Sequence, residues 1–221
     1  NDGSRDDTLN KLIDSFDLEK TNFAYHPEIE TKPVRGIYRS RNISYRRLMV
    51  IDKENGGKAD ALNSGINVAS MDILACIDVD CILSSDSISR MVRPFMEETN
   101  RKVIAVGGVI GIANNCDVQD GTVTHYRIPE TTLGKFQVIE YFRAFLMGRM
   151  AWSRINGLML ISGAFGFFKT DLVRKVGGYF PKTVGEDMEL VVRMRRYMDE
   201  QNIPYKLGFV PDPLCWTEVP E

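Results

Sequence analysis

The sequence predicts an α/β fold with a doubly wound, mainly parallel central sheet and helices on both faces, and three observations lead there. Short apolar runs end abruptly in charged or glycine-rich segments, as strands buried on both faces of a parallel sheet do. Stretches with helical apolar spacing alternate with those runs. One run, Ile73-Leu74-Ala75-Cys76-Ile77, leads straight into Asp78-Val79-Asp80. It puts two carboxylates at the carboxyl end of a strand, where open α/β sheets bind ligands.

Along the chain, Asn1-Asp2-Gly3-Ser4 is a turn sequence, and a turn needs a strand to turn from, so a strand is expected before Asn1. Leu9, Leu12, Ile13 and Phe16 recur at helical spacing, with Asp6 or Asp7 placed to cap. Residues 21–47 carry Arg35, Arg39, Arg41, Arg46 and Arg47 and read as a solvated connecting segment. A short strand over 48–51 ends at Asp52, followed by the loop 53–58 and a helix over about 59–69. The strand before Asp78 comes next, then a helix over roughly 85–98 and a β-branched, glycine-bearing strand over 103–112. A long helical segment over 134–153 precedes the glycine-rich, aromatic residues 157–168. A short helix over 170–176 and a charged one over 186–200 follow, and residues 216–221 read as a loop. A chain of 221 residues fits one domain, here expected as a piece of a larger protein.

Composition excludes several classes. A 43% apolar and 26% charged chain is an ordinary soluble globular sequence, and a net charge of −2 gives nucleic acid no electrostatic reason to be the main partner. No stretch of about 18 uninterrupted apolar residues is present, nor a signal-peptide pattern. The cysteines at 76, 81, 116 and 215 show neither CxxC nor zinc-finger spacing and are expected as free thiols in a reducing compartment. His26 and His125 lie far from other metal ligands, which argues against zinc hydrolase or serine-triad chemistry.

Five segments are able to carry chemistry. Asp78 and Asp80, if both in a strand, point to one side: both suit an oxygen-liking divalent cation shared with substrate phosphates, or one holds the ion while the other, Asp78, binds the nucleotide at its ribose; solvated loop aspartates are the alternative. Gly56-Gly57-Lys58 at a helix start offers free N–H groups, a positive dipole end and a lysine for a phosphate, or forms an ordinary turn. Glu186 and Asp187 open a helix, as caps or as a general base for an acceptor hydroxyl. Ser162, Gly163, Ala164, Phe165 and Gly166 combine small residues with aromatic faces suited to sugar, or form a glycine-kinked core strand. Residues 136–146 put Ile139, Phe142, Phe145 and Leu146 on one face, with Lys135, Arg143, Arg149 and Arg154 nearby. That fits a core helix or one lying on a membrane surface.

Taken in order, Asn1-Asp2-Gly3-Ser4-Arg5-Asp6-Asp7-Thr8, Gly56-Gly57-Lys58-Ala59-Asp60-Ala61-Leu62-Asn63-Ser64-Gly65, Asp78-Val79-Asp80 and Gly185-Glu186-Asp187 resemble the family 2 glycosyltransferases. The likeness is nearest to the processive membrane synthases of cellulose, chitin, hyaluronan and poly-N-acetylglucosamine. It implies a GT-A fold, a nucleotide-sugar donor (generally a UDP-sugar), a saccharide acceptor, Mg²⁺ or Mn²⁺, and inversion at the anomeric carbon. Carried over, Asp2 matches the residue that contacts uracil, Lys58 a basic residue near the nucleotide, and Asp78 and Asp80 the DxD pair, with Asp80 the more direct metal ligand. Asp187 matches the catalytic base with Glu186 beside it, residues 162–166 the acceptor-side loop, and Trp216 and Thr217 the segment before a QxxRW motif that this sequence does not contain. The resemblance also implies polysaccharide synthesis at the cytoplasmic face of the cell membrane, attached through segments outside this soluble piece. The competing expectations are a sugar nucleotidyltransferase and a catalytically silent nucleotide-binding scaffold.

Overall fold

The computed structural model describes residues 1–97, 100–183 and 185–220. They form two compact units, Asn1–Met71 with Val173–Leu190, and Asp72–Leu172 with Val191–Glu221.

In the first unit, α1 (Thr8–Phe16) begins where the Asp6 carboxylate accepts from the Thr8 backbone N–H at 3.2 Å and from Thr8 Oγ1 at 2.6 Å; Asp7 occupies the cap position, and its carboxylate accepts from Asn10 Nδ2 at 2.7 Å rather than capping a backbone N–H. The helix ends at Asp17, whose φ of 49° is left-handed, as helix stops often are. Strands β1 (Leu18–Thr21), β2 (Val34–Ser40) and β3 (Met49–Lys53) pair antiparallel in that order, with Leu18 opposite Ser40 and Ile37 opposite Ile51. The expected connecting segment over 21–47 therefore contains a strand. Its burial does not alternate, since the adjacent Gly36 and Ile37 are both buried and a register shift falls between Val34 and Gly36, so no clean period-two pattern marks it in the sequence. Asp2 pairs with Lys53 in the parallel sense, and the Lys53 N–H donates to the Asn1 carbonyl at 3.1 Å. Helix α2 (Lys58–Val68) follows.

The second unit is built on a five-stranded sheet. Its members are β4 (Ile73–Ile77), β5 (Ile82–Leu83), β6 (Lys102–Ile112), β9 (Phe165–Lys169) and β10 (Tyr205–Thr217), in the order β4-β9-β6-β10-β5. A two-stranded ribbon, β7 (Asp117–Gln119) and β8 (Thr122–His125), lies between β6 and β9 in the chain. The α/β class is as expected, but the strand directions are mixed rather than mainly parallel. Only β6 and β10 run parallel within the five, because β9 inserts antiparallel to both β4 and β6, and β5 runs antiparallel to β10. The core is Met91, Val106, Ile110, Phe145, Phe165, Phe167 and Leu214. Strand β10 also overturns the loop expected at 216: it runs to Thr217, and Trp216 is buried against Gly111, where a Cβ would sit 2.5 Å from the indole. Register shifts around Pro213 interrupt the β10 pattern and hide it from a sequence reading.

Helices α3 (Ser87–Met96), α4 (Thr132–Phe142), α5 (Met150–Arg154), α6 (Thr170–Lys175) and α7 (Glu186–Glu200) fall where periodicity puts them. The far end of the helix expected over 85–98 lies outside the described residues. No disulfide joins the four cysteines, which are thiols as expected.

Candidate functional site

The Asp2 carboxylate is the hub of one corner of the first unit. It accepts from Lys53 Nζ at 2.7 Å, from the Gly56 N–H at 3.0 and 3.2 Å, and from the Gly57 N–H at 2.8 Å. The turn that was expected to offer free N–H groups to a phosphate therefore already holds an anion of the chain itself. Gly57 reaches that arrangement with φ of 84°, and at Gly56 a Cβ would meet the Asp60 carboxyl carbon at 2.5 Å, so both positions call for glycine. Lys58 is the first residue of α2, exposed beside this corner.

Lys53 was not singled out in the sequence, yet its side chain is only 2% exposed and pairs with both Asp2 and Asp60, the latter at 2.5 Å. Burial alone would lower the lysine pKa; the two carboxylates outweigh it and hold it above the usual range. For Asp2 burial pushes upward, but the Lys53 ammonium and the two glycine N–H groups prevail and hold it below the ordinary carboxylate range.

Asp60, Asn63, Ser64 and Asn67 line the buried side of α2 at i, i+3, i+4 and i+7. They bind other parts of the chain. Asp60 accepts from the Lys32 N–H, Asn63 pairs with both polar groups of the Tyr179 backbone at 2.7 and 2.8 Å, and Asn67 does the same for Ile29 at 3.0 and 2.8 Å. Arg174 donates to the Ile66 and Ala69 carbonyls, which closes the C-terminal end of the helix. Asp187 belongs to the same unit, half-buried in the first turn of α7 beside Glu186.

In the second unit, β4 stops at Ile77, so Asp78 and Asp80 lie in the turn after the strand, closed by the Cys81 N–H on the Asp78 carbonyl at 3.1 Å. Strand pleating therefore does not aim the two side chains one way, contrary to expectation. Asp78 is half-buried, and Asp80 is exposed with Thr217 Oγ1 3.5 Å from its Oδ2. Thr217 is a second neighbour that sequence reasoning did not connect to this turn. The 162–166 loop does come here: the Asp78 N–H donates to the Ala164 carbonyl at 3.3 Å, and the Phe165 N–H to Ser162 at 3.1 Å. Its aromatic reading is corrected. Phe165, Phe167 and Phe168 are all buried in the core strand β9, and Gly166 is small because a Cβ would lie 2.8 Å from the Phe168 ring.

The 136–146 face also divides. Leu133, Phe136, Ile139 and Phe142 are exposed, whereas Phe145 is buried under the Arg149 guanidinium. The chain changes from α to π geometry at Arg143–Arg149, and the wider turn rotates Phe145 away from Phe142. A cavity of about 420 Å³ lined by residues including Ile110, Tyr126, Tyr141, Phe142 and Trp216 is apolar and offers little to a diphosphate. Among the described residues, no helix is long and apolar enough to cross a membrane.

Comparison with known proteins agrees with the motif order. The family model described as "Glycosyltransferase like family 2" matches residues 30–221. The poly-beta-1,6-N-acetyl-D-glucosamine synthase of Staphylococcus epidermidis is 30% identical over 167 residues, covering 76% of this chain and 35% of that protein. The synthase of the same name from Staphylococcus aureus (strain COL) is 32% identical over 171 residues, covering 76% of this chain and 36% of that protein. The chain thus spans about a third of the length of these relatives. Among solved structures, a mannosyltransferase from Pyrobaculum calidifontis in complex with GDP-Man and Mn²⁺ aligns with a TM-score of 0.47 at 20% identity, over 77% of this chain and 39% of that one. The mixed α/β architecture is of the GT-A class expected for such a domain, and the chain belongs to glycosyltransferase family 2.

Proposed function

We propose that this chain is the catalytic portion of an inverting glycosyltransferase that moves a sugar from a UDP-sugar to a saccharide hydroxyl during polysaccharide synthesis. The observation that carries the reading is the Asp78–Asp80 turn at the end of a sheet strand, in a chain whose family match covers residues 30–221. The names of the synthase relatives make N-acetylglucosamine the sugar we assign to the donor.

A divalent cation fits the donor set of that turn. Two carboxylates, with a threonine hydroxyl beside Asp80, are hard oxygen donors of the kind Mg²⁺ and Mn²⁺ prefer. Mg²⁺ of this kind is held by one or two carboxylates and completes its shell with water and substrate phosphates. Asp80 is the principal ligand in this reading, with Asp78 beside it. When bound, the ion neutralises charge that develops on the leaving diphosphate.

The chain's own residues do the rest. Asp2 and Lys58 bind the nucleotide, and the 162–164 turn beside Asp78 meets the acceptor. Asp187 takes the acceptor hydroxyl proton as that oxygen bonds to the anomeric carbon and the bond from that carbon to the diphosphate breaks. Attack from the face opposite the leaving group inverts the centre, as in glycoside hydrolysis with a sugar hydroxyl in place of water. Glu186 supports the charge of the helix start.

The exposed residues Leu133, Phe136, Ile139 and Phe142 support a further element of the reading, a face of α4 that meets a membrane surface. The whole protein then works at the cytoplasmic side of that membrane. The central test is sugar transfer by the full-length protein. Asp187→Asn is expected to abolish transfer while UDP binding survives, and undiminished transfer by that variant removes the assigned base.

A further inference from the structure

We propose that Lys53 is a positioning residue for the donor nucleotide, holding Asp2 and the Gly56-Gly57 turn in a single arrangement; the proposal rests on the donor reading above. An ammonium has three protons, and Lys53 has three oxygen partners: Asp2 Oδ1 at 2.7 Å, Asp60 Oδ1 at 2.5 Å and the Glu54 carbonyl at 2.5 Å. No donor is left over, and the side chain is 2% exposed.

Each partner is tied to a different stretch of chain. Asp60 sits in the first turn of α2 and accepts from the Lys32 N–H with both oxygens, at 3.3 and 3.0 Å. Glu54 opens the loop that leads to Gly56 and Gly57. Asp2 holds those two glycines through their N–H groups, while Asn55 Nδ2 donates to the Asp2 carbonyl at 2.8 Å. One buried ammonium therefore joins the first turn of the chain, the 32 segment, the loop and the helix.

The Asp2 carboxylate keeps one-fifth of its side chain exposed. An ionised carboxylate is an acceptor only, so it selects a base that presents a ring N–H, such as the imide of uracil. Cytosine presents a lone pair at the same ring position. Without Lys53, Asp2 and Asp60 would be two like charges brought near one nitrogen's place with nothing between them, and repulsion would turn Asp2 away or protonate it. Either outcome removes the ordered acceptor and slackens the glycine turn. A lysine that served only stability would not alter which base binds.

The experiment is calorimetric titration of UDP and of CDP, with Mn²⁺, into the full-length protein and its Lys53→Met, Asp2→Asn and doubly substituted forms. Lys53→Met is expected to weaken UDP about tenfold or more and to narrow the preference for UDP over CDP. The double variant should bind UDP no more weakly than Lys53→Met alone, since the lysine acts through Asp2. A Lys53→Met protein that unfolds more easily yet keeps native UDP affinity and base preference overturns the proposal. Should Lys53→Met fail to fold, Asp60→Asn reads the same strut: a smaller loss in the same direction supports it, and native affinity overturns it. A native protein that binds no UDP overturns the donor reading itself, and the proposal with it.

Discussion

Lys53 is the clearest case of a single residue whose interior charge decides local structure. Taking an ammonium out of water is costly, and two carboxylates and a carbonyl offset that cost only while all are present. Lys53→Met leaves two partly buried carboxylates without their cation, so a loss of about 3–5 kcal/mol is expected in denaturant titration. The pH dependence follows from the direction of the shifts. Asp2 is held below its ordinary range, so its contribution is present above that range and fades as pH falls through and below about 4. Lys53 is held above its ordinary range, so its contribution is complete below about pH 10 and fades as pH rises beyond it. The stability gap between native protein and Asp2→Asn should therefore be widest near pH 7 and narrow by pH 3; a gap of constant width contradicts the pairing. Lys53 was not legible in the sequence because a lysine at the end of a strand is ordinarily solvated. Asp2 was legible, but for a ligand contact rather than for the internal bonds it makes.

Helix α2 illustrates the limit of apolar periodicity at the scale of an element. The stripe Asp60, Asn63, Ser64 and Asn67 has the spacing of a core face and is buried as one, yet all four residues are polar. A reading based on hydrophobic spacing places the helix and misses what its face does, which is to bind the backbone of two loops. Polar residues at i, i+3, i+4 and i+7 were the available signal. Asn63→Ala removes the side chain that bonds both polar groups of the Tyr179 backbone, and a destabilisation of about 1–3 kcal/mol is expected. Hydrogen exchange at the Tyr179 amide should accelerate in step, and unchanged exchange would remove Asn63 from that role. On α4 the sequence pattern grouped Ile139 and Phe142 with Phe145, but the π turn separates them. If the exposed residues meet lipid, replacing Phe136 and Phe142 with serine should reduce cosedimentation of the chain with anionic vesicles while leaving its thermal unfolding nearly unchanged. Equal sedimentation of both proteins contradicts the membrane assignment.

For the molecule as a whole, motif order was more informative than any single motif. The aspartate turn, the glycine–lysine loop and the Glu186-Asp187 helix start each had an ordinary structural reading, and their succession is what led to the family that the comparison then established. Strand direction was less legible, because β9 carries a core aromatic run whose pairing with β4 and β6 depends on residues far away in sequence. Strand β10 was hidden by its prolines and bulges. The full-length protein is proposed to transfer a sugar from its nucleotide donor with release of the nucleoside diphosphate. The most direct measurement incubates that protein with the UDP-sugar, a divalent cation and a saccharide acceptor, and identifies both the nucleotide product and the extended saccharide. The prediction is UDP in step with acceptor extension, both lost in Asp80→Ala. No extension by the native protein, or extension that Asp80→Ala leaves intact, contradicts it.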